Sequence, residues 1–170
     1  ADQDGEVTLN IPEEHFFPWS PDSPFLYDLT VGTTQGEEES FDTVHSYFAL
    51  RKWSCAPDAR GVLRFCLNDR PLLLNGLLDQ GYWPEGLYTP PSDAAVVHEL
   101  QTIKELGFNL LRKHAKIEPQ RWYYHCDKLG LIVWQDMVNG GESYRLWFVT
   151  YLTNILQPLL RKLPDTAALR

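Results

Sequence analysis

The stretch LLLNGLLDQGYWPEGLYTPPSDAAVVHELQTIKELGFNLLRKHAKIEPQRWYYHCDKLGLIVWQDM, Leu72 to Met137, decides the fold. Three short apolar runs punctuate it: Leu72-Leu73-Leu74, Phe108-Asn109-Leu110-Leu111 and Leu131-Ile132-Val133-Trp134. Each is too brief for a helix and mostly apolar on both faces, the pattern of strands covered on both sides in a parallel sheet. The segments between them carry the helical period. Ser92 stands as an N-cap ahead of Val96, Val97, Leu100, Ile103 and Leu106, and Gly107 follows as a stop. Pro119 suits a first helical turn, Trp122, Cys126 and Leu129 recur at i, i+4 and i+7, and Gly130 ends the run. Strand, helix, strand, helix, strand is the order of a parallel β/α unit, whose chemistry gathers at the carboxyl ends of its strands.

On the amino-terminal side the period changes. Val7 to Ile11 alternates, as does Phe25 to Val31 with Phe25, Tyr27, Leu29 and Val31 on one side, and Val62 to Leu67 is a third extended run. Turns are expected at Pro18-Trp19-Ser20-Pro21, at Gly36 with Glu37-Glu38-Glu39, at Pro57-Asp58 and at Asn68-Asp69, the last closing a hairpin that leads into Leu72. The expected class is α/β with an all-β amino-terminal part. Residues 1–60 form the β-domain and 61–170 the β/α part, with the junction between Arg51 and Arg70. Beyond Met137, Asn139-Gly140-Gly141 reads as a loop, and Tyr144 to Leu163 as an apolar helical stretch broken by Pro158 and packed on the sheet. Arg145, Asn154, Gln157, Arg161 and Lys162 interrupt that stretch, so its longest uncharged section falls short of the roughly 20 apolar residues of a membrane span.

A chain of 170 residues with 44% hydrophobic content can bury a core. Its 15 basic and 23 acidic residues leave a net charge of −8, which argues against nucleic-acid and anionic-membrane partners, since both rely on clustered Lys and Arg. Cys55, Cys66 and Cys126 are odd in number, widely spaced and without a CxxC. They indicate neither a disulfide framework nor a zinc site, and they set the expectation of a reducing, cytoplasmic compartment. Glu37-Glu38-Glu39 lacks the alternating ligand spacing of a calcium loop and reads as a solvated turn.

Three ordered runs carry a family resemblance: Leu74 through Asp79-Gln80-Gly81-Tyr82-Trp83-Pro84-Glu85 to Gly86, then Leu106-Gly107-Phe108-Asn109-Leu110-Leu111-Arg112-Lys113-His114, then Trp122 through Asp127-Lys128-Leu129-Gly130 to Asp136. They resemble the opening of the catalytic barrel in glycoside hydrolase family 2, which contains β-galactosidases, β-glucuronidases and β-mannosidases. Upstream, Pro18 to Pro21, Leu26-Tyr27 and Ser46 to Lys52 resemble the final strands of the immunoglobulin-like domain preceding that barrel. The resemblance covers nearly the whole chain. It implies a partial immunoglobulin-like β-sandwich followed by the first three or so units of a (β/α)8 TIM barrel. It further implies a carbohydrate substrate, no organic cofactor, and retaining hydrolysis of a β-glycoside, foremost a β-galactoside, by two glutamates about 5 to 5.5 Å apart. Family members carry both glutamates on later barrel strands, the acid/base in an Asn-Glu pair, and this chain has no such pair. A closed barrel typically needs around 250 residues. The expectation is therefore an internal piece of a larger glycosidase, inactive alone, with open strand edges that invite pairing with a second copy. A non-catalytic carbohydrate-binding or interaction module is the alternative.

Candidate substrate contacts follow. Asp79, just beyond the first strand, and Asp136, just beyond the third, are expected at the barrel mouth, where carboxylates take sugar hydroxyls; Tyr82, Trp83 and Trp134 offer rings to apolar sugar faces. Arg112 matches the family position that supports the nucleophile, through a guanidinium–carboxylate pair. His114 lies one residue short of the family's histidine, and Asn139 is a further polar candidate. Plainer roles stand beside these: an ordinary ion pair for Arg112, loop capping for the aspartates, a solvated loop position for His114 and core packing for Trp134. Trp122-Tyr123-Tyr124-His125 and Cys126 read as packing. Asp79 and Asp136 are not expected to work as a catalytic pair, because an unclosed barrel lacks the supporting shell that fixes such geometry.

Overall fold

The structure is a computed structural model describing residues 7–33 and 42–138. The expectations for Gly36, Glu37-Glu38-Glu39, Asn139-Gly140-Gly141 and Tyr144 to Leu163 lie outside the described residues.

A 3₁₀ turn at Glu13–His15 precedes two antiparallel strands, β1 Tyr27–Thr33 and β2 Asp42–Phe48, with Tyr27 opposite Phe48. A meander follows: β3 Trp53–Pro57, β4 Leu63–Leu67 and the short β5 Arg70–Pro71. Next come β6 Gly76–Asp79, β7 Leu110–Lys113 and β8 Ile132–Gln135, three parallel strands joined by α1 Asp93–Glu105 and α2 Gln120–Leu129. The parallel unit and its helix boundaries agree with the sequence. Ser92 Oγ accepts the Ala95 N–H at 3.1 Å, capping α1, and Gly130 closes α2 in the left-handed region at φ 78°, its N–H bonded to the Cys126 carbonyl. Asn68 and Asp69 both hold positive φ, 52° and 63°, in a two-residue turn that places Leu67 opposite Arg70, as the hairpin reading requires. Among the described residues no helix is long and apolar enough to cross a membrane.

Two expected strands need correction. Val7 to Ile11 alternates but forms no ladder among the described residues, and Val7 and Leu9 stand exposed. Leu72 to Leu74 is an extended link rather than the first parallel strand, which begins at Gly76. The Leu72 N–H is spent on Phe65 in the meander (2.8 Å), while the Asn109 side chain clips the link from the other side. Its Oδ1 accepts the Asn75 N–H and its Nδ2 donates to the Leu73 carbonyl, each at 2.8 Å. Laddering starts where glycine permits close approach: a Cβ at Gly76 would lie 2.7 Å from the Leu110 carbonyl oxygen. β7 and β8 also extend further than their apolar runs, taking in Lys113 and Gln135.

The core has two parts. Val96, Leu100, Leu111, Trp122, Cys126 and Leu131 fill the space between the helices and one face of the parallel sheet. On the other face, Trp19, Leu67 and Ile132 are joined by Leu26, Leu72, Leu74 and Leu110. Trp19, read from sequence as a turn residue, is fully buried there, its Nε1–H donating to the Asp127 carbonyl at 2.7 Å. Burying a Trp removes about 150–250 Å² from water, roughly 4–6 kcal/mol as an upper bound at ~25 cal/mol per Å². Asp127 also accepts from Tyr47 and Arg51, both at 3.1 Å, and burial, reinforced by Asp127, pushes the Tyr47 phenol up to about 12. Helix α2 is thereby fastened to the β-rich part that precedes it.

Candidate functional site

Register determines which side chains share a face. Leu77, Leu111 and Val133 sit abreast and contribute to the core beneath the helices. One residue further on, Leu78, Arg112 and Trp134 form a row on the opposite face, and the next row, Asp79, Lys113 and Gln135, returns to the helix side. Among the described residues no helix covers the row of Leu78, Arg112 and Trp134, and Trp134 is 54% exposed. At its carboxyl end, Arg112 Nε donates to Asp136 Oδ2 at 2.9 Å, and the Asp136 N–H holds the Lys113 carbonyl at 3.0 Å. The structure therefore brings Arg112, Trp134 and Asp136 together. Among the described residues the two terminal guanidinium nitrogens of Arg112 have no partner, leaving donors for a ligand carboxylate or hydroxyl.

Asp79 is placed elsewhere. It ends β6 on the helix side, where Oδ2 takes the Lys113 ammonium and Oδ1 accepts the Gly81 N–H at 2.6 Å. Lys113 is wholly buried, paired also with Glu118 Oε1 at 3.0 Å and lying 4.2 Å over the Trp122 ring. The same Glu118 oxygen takes Lys116 at 2.8 Å, and Lys116 donates to the carbonyls of Gly81 (2.9 Å) and Tyr88 (2.7 Å). Gln135 completes the network, donating to the carbonyls of Lys116 and Asp136 and accepting the Tyr123 hydroxyl. Glu118 Oε2 is buried with no hydrogen-bond partner among the described residues.

Lys113, Lys116 and Glu118 were not among the residues expected from sequence. The signal was present in the period of two, which puts Lys113 on the same face as Leu111 and opposite to Arg112.

Of the other candidates, Tyr82 is exposed and joins hydroxyls with Tyr88 at 2.6 Å, and His114 Nδ1 lies 3.1 Å from Gln80 Nε2. Trp83 packs against the helix-side core and exchanges two backbone bonds with Leu87. Asn139 is outside the described residues. A pocket of about 340 Å³ opens beside β6, lined by Leu77, Asp79, Gln80, Tyr82 and Glu99 among others. Burial, and then the Asp79 carboxylate, raise the Glu99 carboxyl above the usual range. Among the described residues no three His, Cys, Asp or Glu side chains gather as a metal site. Among the described residues this face carries the Arg112–Asp136 pair, a guanidinium and a carboxylate of the kind that hold polar groups.

No family model matches the chain. It is 29% identical over 152 residues to a β-galactosidase of Leuconostoc mesenteroides, covering 89% of this chain and 14% of that protein. To an exo-β-D-glucosaminidase of Amycolatopsis orientalis it is 28% identical over 130 residues, covering 71% and 12%. Among solved structures, β-glucuronidase 3 of Bacteroides uniformis superposes with a TM-score of 0.67 at 26% identity, covering 84% of this chain and 18% of that one. A glycoside hydrolase family 2 β-galacturonidase from Eisenbergiella tayi gives 0.65 at 25%, covering 76% and 22%. The chain thus spans about a seventh of the length of the curated relatives it matches, about 14% in the first case. With the ordered motifs of the parallel unit, its register and these relatives pointing one way, the chain is glycoside hydrolase family 2-like.

Proposed function

We propose that the chain is part of a retaining β-glycosidase, foremost a β-galactosidase, and contributes substrate-holding residues to its active site. In this reading residues 1–60 close an immunoglobulin-like sandwich and residues 61–170 open a TIM barrel. The catalytic glutamates lie in sequence outside this chain, and the chain by itself is inactive. The observation that carries the reading is the row of Leu78, Arg112 and Trp134, which no helix covers among the described residues, with Asp136 held by Arg112, at the carboxyl ends of parallel strands. That end is where β/α barrels carry their chemistry. Arg112 and Asp136 would bind sugar hydroxyls or steady a catalytic carboxylate, and Trp134 would take the apolar face of the sugar. The three free cysteines suit a reducing, cytoplasmic setting, and the open strand edges suit pairing with a second copy.

The test joins two measurements. The coding sequence following Arg170 is expected to supply an Asn-Glu pair and a second glutamate within the remainder of a barrel. The product of that longer sequence is expected to hydrolyse nitrophenyl β-galactoside faster than the β-glucuronide, β-mannoside or β-glucoside, with retention, and to lose activity in Asp136→Ala. Turnover by the isolated 170-residue chain that disappears in Asp136→Ala would overturn the reading and make this face an active site of its own.

A further inference from the structure

The connection from β6 to α1 presents two tyrosines at the carboxyl end of the sheet. Tyr82 and Tyr88 are 59% and 52% exposed, their ring centroids 4.5 Å apart with planes inclined at 48°. Their hydroxyls are 2.6 Å apart. Exposed aromatic pairs are ordinarily mobile, but this pair is built on a rigid base. The Lys116 ammonium, buried against Glu118, donates to the carbonyls of Gly81 and Tyr88, so one cation fastens the connection at both ends. It also lies 5.2 Å over the Tyr88 ring. Between these points Trp83 and Leu87 exchange backbone bonds of 2.7 and 2.9 Å, and Trp83 is anchored in the helix-side core. Gly81 is held so tightly, at φ 67°, that a Cβ there would meet Glu118 Oε1 at 2.5 Å and Lys116 Nζ at 2.6 Å.

We propose that the Tyr82–Tyr88 pair is a saccharide subsite that takes one pyranose ring of the substrate, with Lys116 as its positioning residue. Within the pair, one phenolic hydrogen is spent between the hydroxyls. One O–H donor and the remaining lone pairs then face outward side by side, the complement of two adjacent sugar hydroxyls. The tilted rings supply the apolar surface on which the C–H face of a pyranose stacks. Because the buried ion pair has already ordered the connection, little side-chain freedom is left to lose on binding. The subsite rests on the glycosidase reading and adds to it a place and a chemistry for a sugar separate from the Arg112–Asp136 pair.

The test is saturation-transfer NMR on the 170-residue chain with methyl β-galactoside, methyl β-glucoside and methyl β-glucuronide. Both tyrosines are exposed, so Tyr82→Ala and Tyr88→Ala are expected to leave the thermal midpoint unchanged. Each should cut transfer to the sugar C–H protons at least about fivefold, the scale of a lost aromatic contact. Tyr82→Phe, which keeps the ring, should lose less. Lys116→Met should weaken the same signal while leaving any dependence on Arg112 intact. Transfer that survives in both alanine variants but vanishes in Arg112→Gln would overturn the subsite and leave the glycosidase reading standing. Absence of transfer from the unchanged chain to all three sugars would overturn the subsite and leave the glycosidase reading to its own test on the longer product. A folded Lys116→Met chain with undiminished transfer would refute the positioning role.

Discussion

Lys113→Met removes a wholly buried ammonium from between two carboxylates and from over the Trp122 ring, while keeping most of the aliphatic stem. Deleting one partner of a buried pair costs about 3–5 kcal/mol, because the charge left behind is uncompensated. Two features place this case at the lower end. Glu118 keeps Lys116 at 2.8 Å, and Asp79 keeps the Gly81 N–H at 2.6 Å. The expected loss is therefore about 3 kcal/mol; with a urea m-value of about 2 kcal/mol per M, the unfolding midpoint falls by ~1.5 M. The assay is urea unfolding of the chain, followed by circular dichroism and by tryptophan fluorescence to check that the transition is two-state. A double variant separates charge from packing. Asp79→Asn retains an acceptor for Gly81 but carries no charge, so in the Lys113→Met background it should restore part of the loss. In the unchanged chain it should be destabilising. A Lys113→Met cost below about 1 kcal/mol, or strict additivity in the double variant, would refute the assignment of Lys113 as the centre of the buried network.

Three further outcomes are expected. Gly81→Ala should destabilise by more than about 1 kcal/mol and disturb Lys116, since it sets an L residue at φ 67° with its Cβ against Glu118 and Lys116; the same unfolding assay checks this. Glu99→Gln should raise the melting temperature at neutral pH. Burial raises the Glu99 pKa in the folded chain, so its ionised form weighs against folding above the unfolded-state value, and that penalty is relieved as pH falls through the raised pKa. The gain should shrink in melts taken at progressively acid pH, and a gain that grows would contradict the sign. A thiol reagent should modify Cys55 alone in the native chain, because Cys66 and Cys126 are buried and burial pushes the Cys126 thiol up; reagent uptake by all three before unfolding would contradict the packing.

The parallel unit was legible because its helices announce themselves at both ends, through Ser92, Gly107, Pro119 and Gly130, and because Leu110-Leu111 and Ile132-Val133 are apolar on both faces. Other features depend on partners distant in sequence. Leu72 to Leu74 is apolar because Leu72 and Leu74 pack beside Trp19, Leu67 and Ile132, and no local pattern separates that from a laddered strand. Trp19 sits between two prolines in a segment with every mark of a turn, yet the peptide carbonyl that receives its indole N–H belongs to Asp127.

The site was harder to place than the fold, and the reason lies in the alternation of strands. In a parallel β/α unit the residues that carry chemistry are the last ones of each strand, where the apolar run has already ended. A reading based on apolar runs stops β7 at Leu111 and β8 at Trp134, and so treats Arg112 as lying beyond a strand of which it is an integral part. Once the strand is extended, a displacement of one residue exchanges the two faces. Asp79 and Asp136 looked equivalent in sequence, each an aspartate at the end of a run. The ladder separates them: Asp79 falls in the row of Lys113 and becomes part of a buried support, whereas Asp136 follows Gln135 and reaches Arg112. Composition and motif order can identify the unit, but only the register tells which carboxylate stands beside Arg112 and which one is tied to Lys113 on the helix side.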